Sequence, residues 1–127
     1  MQINLRPVGT VISKTEDSSE IEIHERFSPG LKGIDKNNIR YIWVLFWMHR
    51  LSEDAREILE AHPMGNRAKE KRGVFALRSP MRPNPMGLTR VELVERRDNI
   101  LVVSGLDALE GSPILDIKPA GSDRRSN

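Results

Sequence analysis

Residues 78–87, RSPMRPNPMG, hold the most unusual chemistry in the chain. Pro80, Pro83 and Pro85 fix φ and remove backbone donors, so the loop takes one rigid extended shape with its carbonyls free. A rigid loop loses little entropy when a ligand lands on it. Arg78 and Arg82 could grip a carboxylate or phosphate bidentately. Between the prolines, Pro83 and Asn84 form the centre of a candidate binding loop, Asn84 being able both to donate and to accept. Gly87 lets a ligand approach the backbone closely. A structural turn, or a Pro-x-x-Pro docking peptide over residues 80–83, is the alternative reading.

A second segment, LDALEGSPILDIKP at residues 106–119, turns at Glu110, Gly111 and Ser112 before a short apolar strand. On that strand Asp116 and Lys118 share a side, where an acid and a base could manage a proton; a modest surface ion pair is the plainer alternative. His49, followed by Arg50, ends a long apolar run and could meet a ligand at the mouth of a barrel, or be a satisfied core residue. His24 and His62 lack metal-ligand spacing. The chain has no cysteine, which removes disulfides, thiolate metal sites and thiolate nucleophiles, so no metal is expected. It also lacks the phosphate loop, the dinucleotide fingerprint and the nucleophile elbow of three large enzyme classes.

The formal charge is +2, from 20 Lys+Arg against 18 Asp+Glu, so partner choice rests on how charge is distributed. Residues 67–72, RAKEKR, place Arg67, Lys69, Lys71 and Arg72 around one glutamate, with Arg78, Arg82 and Arg90 close behind. Such a patch can position a phosphate backbone, although a solvated charged loop has the same composition.

Holding these residues requires strands. In EIEIHERF (residues 20–27), Ile21, Ile23 and Phe27 alternate with polar residues, predicting a half-buried strand. YIWVLFWMH (residues 41–49) is apolar on both faces and contains both tryptophans, predicting a central strand covered on both sides. Residues 74–79, 89–96 and 100–106 are further strands, the last two joined by a tight turn at Asp98-Asn99. Propensity predicts a short helix over residues 52–61 and a helical turn within 29–38. The expected fold is mainly β, a compact antiparallel β-barrel-centred single domain with little helix, since closure removes exposed strand edges. A chain of 127 residues fits one domain, placed at residues 1–119, with residues 120–127 as a flexible tail. No apolar run reaches the roughly 20 residues of a membrane helix, and no signal peptide opens the chain, so a cytoplasmic protein is expected.

Four strings, PVGTVIS, IWVLFWMHR, HPMGNR…RGVFALRSPMRPNPMGLTRVEL and GLDALEGSPILDIKP, together resemble the TsaA/TrmO family. Its members are S-adenosylmethionine-dependent enzymes that N6-methylate threonylcarbamoyladenosine beside the tRNA anticodon. The resemblance implies a barrel-centred homodimer whose cofactor is S-adenosylmethionine and whose partner is the tRNA anticodon arm. By matching position it implies that His49, Arg50, Arg78, Leu88, Leu109, Glu110, Gly111 and Ser112 line the cofactor site, with Asp116 and Lys118 close by. It also reads EILEAHP as a strand rather than a helix, and we adopt that reading. Asp116 is then the candidate proton acceptor, Lys118 its orienting partner, and Arg67, Lys69, Lys71, Arg72, Arg82 and Arg90 the tRNA contacts. Many relatives carry Pro-Arg-Gln after the first strand, where this chain has only KTEDSSE, and a tyrosine where it has Ala120. An S-adenosylmethionine-binding module without catalysis, and methyl transfer to a small molecule, are the two rival readings.

Overall fold

The computed structural model describes residues 1–122, so most of the expected tail lies outside the described residues. The chain packs as two compact units: Met1–Trp47 together with the chain from Gly87 onward, and Met48–Met86.

Among the described residues eight strands are formed: β1 (Gly9–Lys14), β2 (Ser19–Ile23), β3 (Tyr41–Trp47), β4 (Glu60–Ala61), β5 (Arg72–Gly73), β6 (Met86–Arg97), β7 (Ile100–Ser104) and β8 (Pro113–Ala120). Six of them close into an antiparallel barrel in the order β1-β2-β7-β6-β3-β8, with β8 returning to β1. The barrel strands send residues inward in an alternation that bulges interrupt. Val11, Ile21, Ile42, Val44, Val91, Leu101, Val103 and Ile114 are essentially inaccessible there, each contributing about 1.5–3 kcal/mol of burial. The predicted β-barrel is therefore present, and its edges are satisfied by closure.

Bulges shape the barrel. The pairing slips between Val11 and Ser13 in β1, between Leu93 and Glu95 in β6, and between Leu45 and Phe46 in β3. At the last of these Leu45 pairs with Asp116 and Phe46 with Ile114, leaving Leu115 as the extra residue in β8. A bulge of this kind bends its strand and re-aims the side chains beyond it. Beside it, Gly87 lies so close to Phe46 that a Cβ would overlap the ring.

The β6–β7 hairpin turns at Asp98-Asn99 as predicted, with Arg97 paired to Ile100 and Asp98 alone taking a left-handed φ of 57°. Other expectations are corrected. The strand predicted through Phe27 stops at Ile23, and Glu25–Leu31 forms a 3₁₀ segment, taking up the helical turn expected slightly later. Arg96 holds that segment by donating to Leu31 O (2.8 Å) and Ile34 O (3.2 Å). Strand β3 is buried on one face only: Ile42, Val44 and Phe46 are buried, whereas Tyr41, Trp43, Leu45 and Trp47 are half-buried. A barrel wall has one inward side, so outward residues alternate with buried ones even when they are aromatic.

In the second unit, neither reading of residues 52–61 holds throughout. Glu53–Glu57 is a 3₁₀ segment, and only Glu60 and Ala61 form a strand, paired with Gly73 and Arg72. The strand predicted at residues 74–79 is replaced by a 3₁₀ turn, Val74–Ala76, in which Val74 alone is buried while Phe75 is exposed. With one anchoring side chain there is no second face to pair, and the backbone closes locally through Leu77 N–H to Val74 O (3.1 Å).

Candidate functional site

In the barrel unit the segment before β8 is held from β1. Lys14 Nζ donates to Leu106 O (2.8 Å) and Ala108 O (2.9 Å), while the side chains of Leu106 and Ala108 are buried. Gly111, at φ 89°, donates its N–H to Val11 O (2.8 Å), and Ser112 N–H closes the turn on Leu109 O (3.0 Å). Ser112 is 2% exposed and Leu109 47% exposed, so the turn buries its foot and offers an apolar side chain with the exposed Glu110. Leu88 on β6 is a second exposed apolar residue. The turn thus presents one exposed apolar side chain and one exposed carboxylate on an ordered backbone.

Asp116 and Lys118 lie on one side of β8, opposite Leu45 and Trp43 respectively. Both are exposed, and no ion pair joins them among the described residues. Asp116 Oδ1 accepts its neighbour's N–H, from Ile117 at 2.9 Å, so the carboxylate keeps accepting capacity. Trp43, facing Lys118 across the strands, carries a buried indole N–H with no partner among the described residues. An orphaned donor of this kind costs about 1–3 kcal/mol until something accepts from it.

Arg90 is differently employed. Its guanidinium lies 3.7 Å from the Tyr41 ring centroid and donates to Gly121 O (3.1 Å) and Ser122 O (2.8 Å).

In the second unit the proline loop is clamped by Arg82 from within the loop and by Arg56 from outside it. Arg82 donates to Leu77 O (3.2 Å) and Ser79 O (3.0 Å), and Arg56 donates to Pro83 O (2.6 Å) and Asn84 Oδ1 (3.2 Å). Pro85 is buried and its carbonyl accepts from Met48 N–H (2.8 Å). His49 and Arg50, just after Met48, are exposed. Arg78, Arg67 and Lys71 share the wall of a depression of about 790 Å³ with His62, Met64 and Met81. Lys69 and Arg72 are exposed beside them, and the Lys69 carbonyl accepts from His62 Nδ1 (2.8 Å). No ion pair engages Arg67, Lys69, Lys71, Arg72 or Arg78 among the described residues.

Within the barrel unit, then, Leu109, Glu110, Gly111 and Ser112 form one turn leading into the strand of Asp116 and Lys118. Within the second unit, Pro83, Asn84 and Arg82 form one clamped loop, and Arg67, Lys71 and Arg78 one basic depression. Sequence reasoning passed over Lys14 and Arg56, which looked like ordinary solvated charges because their acceptors are backbone carbonyls 92, 94 and 27 residues away. No group of residues that could hold a metal ion is found among the described residues.

Comparison with known proteins places these features in context. Residues 7–123 match the model of the tRNA-methyltransferase O N-terminal domain. A probable S-adenosyl-L-methionine-binding protein of Methanothermobacter thermautotrophicus is 43% identical over 97% of this chain and 93% of its own. An S-adenosyl-L-methionine-binding protein of Archaeoglobus fulgidus is 43% identical over 90% of this chain and 86% of its own. A longer Archaeoglobus fulgidus relative, also a probable S-adenosyl-L-methionine-binding protein, is 39% identical over 96% of this chain, which spans only 35% of that protein. A crystal structure of TrmO superposes with a TM-score of 0.74 at 27% identity, over 98% of this chain and 61% of that one. TrmO from Pseudomonas aeruginosa gives 0.70 at 26% identity, over 98% and 59%. With a family model spanning most of its length and a barrel shared with solved TrmO structures, the chain belongs to the tRNA-methyltransferase O N-terminal domain family.

Proposed function

We propose that this chain is an S-adenosylmethionine-dependent methyltransferase acting on N6 of threonylcarbamoyladenosine beside the tRNA anticodon. One observation carries the reading: the ordered turn at Leu109, Glu110, Gly111 and Ser112 runs directly into the strand that presents Asp116 with accepting capacity to spare. Two relatives that match nearly end to end and are named for S-adenosyl-L-methionine binding support the choice of cofactor.

Bound S-adenosylmethionine supplies an electrophilic methyl group on a positively charged sulfur. In the barrel unit Leu88, Leu109, Glu110, Gly111 and Ser112 are its proposed contacts, Leu88 and Leu109 for the base and Glu110 for sugar hydroxyls or the ammonium. In the second unit the proposed contacts are His49, Arg50, Arg78, Pro83 and Asn84, with Arg78 suited to the carboxylate. The chain's own residues then position the amide-like nitrogen and remove its proton. Asp116 accepts that proton; Lys118 orients Asp116 or holds a phosphate. For the anticodon arm, the unpaired Arg67, Lys69, Lys71 and Arg72 are the better candidates. Arg82 and Arg90 contribute less, because their guanidinium groups already serve backbone carbonyls. The working form is a homodimer in the cytoplasm. No helix among the described residues is long and apolar enough to cross a membrane.

Transfer of radiolabelled methyl to tRNA carrying the threonylcarbamoyl group, but not to tRNA lacking it, is the expected result. Equal background counts on both would reject the reading.

A second reading keeps the cofactor and drops transfer to tRNA. It is favoured by KTEDSSE standing where many relatives carry Pro-Arg-Gln and by Ala120 standing where they carry a tyrosine. Calorimetry showing tight cofactor binding with no tRNA affinity would select it.

A further inference from the structure

The barrel unit holds a cavity of about 350 Å³ that no residue proposed above for the cofactor lines. Its apolar wall includes Ile23, Phe27, Leu31 and Ile34, and two charged residues, Arg26 and Asp116, complete it. The volume falls at the lower end of the range for small-molecule sites.

The wall is built rather than incidental. Arg96 fixes the carbonyls of Leu31 and Ile34 at 2.8 and 3.2 Å. His24 N–H donates to Val8 O (2.9 Å) and Phe27 N–H to His24 O (2.8 Å), tying the entry of the 3₁₀ segment to the chain just before β1. Ile23 and Leu31 are 3% exposed. The Arg26 guanidinium lies 4.6 Å from the Phe27 ring centroid, a cation–π contact.

Arg26 and Asp116 bear opposite charges and both line the cavity, yet neither forms an ion pair with the other or with any described residue. An open guanidinium and an open carboxylate on the lining of one apolar cavity fit a ligand that carries an anion, an N–H donor and a flat apolar body.

We propose that this cavity seats the acceptor base of the methyl transfer, a planar purine ring whose N6 substituent ends in a carboxylate. The ring lies against Phe27 and the aliphatic wall, the substituent carboxylate meets the Arg26 guanidinium, and the N6–H meets the Asp116 carboxylate. This assignment rests on the transfer reading above and adds a specificity element to it: Arg26 selects the base already carrying an anionic substituent over unmodified adenosine. The chemistry balances as N6–H exchanging its proton for a methyl group, the S–CH₃ bond breaking as the N–CH₃ bond forms and the proton passing to Asp116.

The test is direct binding of the nucleosides N6-threonylcarbamoyladenosine, its methyl ester and adenosine to the full chain by calorimetry. The acid should bind about tenfold more tightly than its ester or adenosine, and Arg26→Gln should erase that margin while Arg26→Lys keeps part of it. Arg26 is exposed, and its one described contact is the Phe27 ring, so an unchanged melting temperature will show that Arg26→Gln is folded. Equal affinity for acid and ester, no binding of the acid, or no effect of Arg26→Gln overturns the assignment. Methyl transfer to tRNA, measured in parallel, separates the two ideas. Undiminished transfer by Arg26→Gln removes the pocket and leaves the activity; selective nucleoside binding without transfer to any tRNA keeps the pocket and removes the activity.

Discussion

Lys14, at the end of β1, donates its ammonium to the carbonyl of Ala108 at 2.9 Å, and so fastens the approach to the Gly111 turn from the opposite end of the sequence. The same ammonium also binds Leu106 O, at 2.8 Å. Lys14→Met removes both charge-assisted bonds while keeping the aliphatic stem, and should cost about 1–3 kcal/mol. Amide hydrogen exchange should speed up at Ala108 and Leu109 and stay unchanged in β2 and β7. Uniform acceleration would mean the lysine stabilises the whole unit and not this turn.

Gly87 has no room for a side chain, because a Cβ there would enter the ring of Phe46. Gly87→Ala should therefore destabilise by about 1–3 kcal/mol, the usual cost of overpacking. Adding Phe46→Leu should recover part of that loss. Denaturant titration of the two single variants and the double variant measures the coupling.

The Glu20 carboxyl is held below its ordinary range, chiefly by the hydrogen bond from the Ser13 hydroxyl (2.6 Å); burial opposes this, and the Arg97 guanidinium adds smaller lowering contributions. A depressed folded-state pKa stabilises the fold above the unfolded value, and that contribution disappears as pH falls through the folded value. Melting curves of wild type and Glu20→Gln should therefore differ at neutral pH and converge in acid, below the carboxyl's ordinary value of 4.5. In Ser13→Ala the Glu20 titration should move upward toward that value.

If Asp116 takes the proton, Asp116→Asn should lower kcat for methyl transfer by about a hundredfold or more with little change in cofactor affinity. The loss should shrink at higher pH, where more of the acceptor nitrogen is deprotonated without help. A parallel loss of cofactor binding would reassign Asp116 to the binding site.

The basic depression gives a salt signature. Removing Arg67 and Lys71 together should reduce the slope of log K against log salt for tRNA by about 0.7 per lost contact if the contacted strand is single. Arg90→Gln should change that slope little and lower stability instead, since its guanidinium is committed to Tyr41, Gly121 and Ser122.

Period-two alternation made part of the barrel legible: β2 and β6 lie where Ile21, Val91 and Leu93 alternate with charged residues such as Glu20, Glu22, Arg90 and Glu92, whereas β7 is a short apolar run rich in branched side chains. It misled at β3, where Trp43 and Trp47 are as apolar as Val44 yet occupy the outer side; hydropathy alone does not tell inside from outside when both rows are apolar. Short-range propensity failed between Met48 and Met86, where pairing is limited to two residues in each strand and backbone closure is local. The turn at Glu110, Gly111 and Ser112 was readable because Gly111 needs a left-handed φ. Lys14, Arg56 and Arg96 were not, because a long cation reaching a distant carbonyl leaves no periodic trace.

The irregularity opposite Phe46 has a consequence for how this domain tolerates change. Ile114 faces the core and Ile117 lies opposite buried Val44, three positions further on, an odd step that strict alternation forbids. Leu115 absorbs the mismatch and thereby sets the parity of everything after it, Asp116 and Lys118 included. Deleting that one leucine would exchange the two sides of the remaining strand, burying a carboxylate and an ammonium and expelling an isoleucine. Exchanging Leu115 for another residue would leave the frame intact.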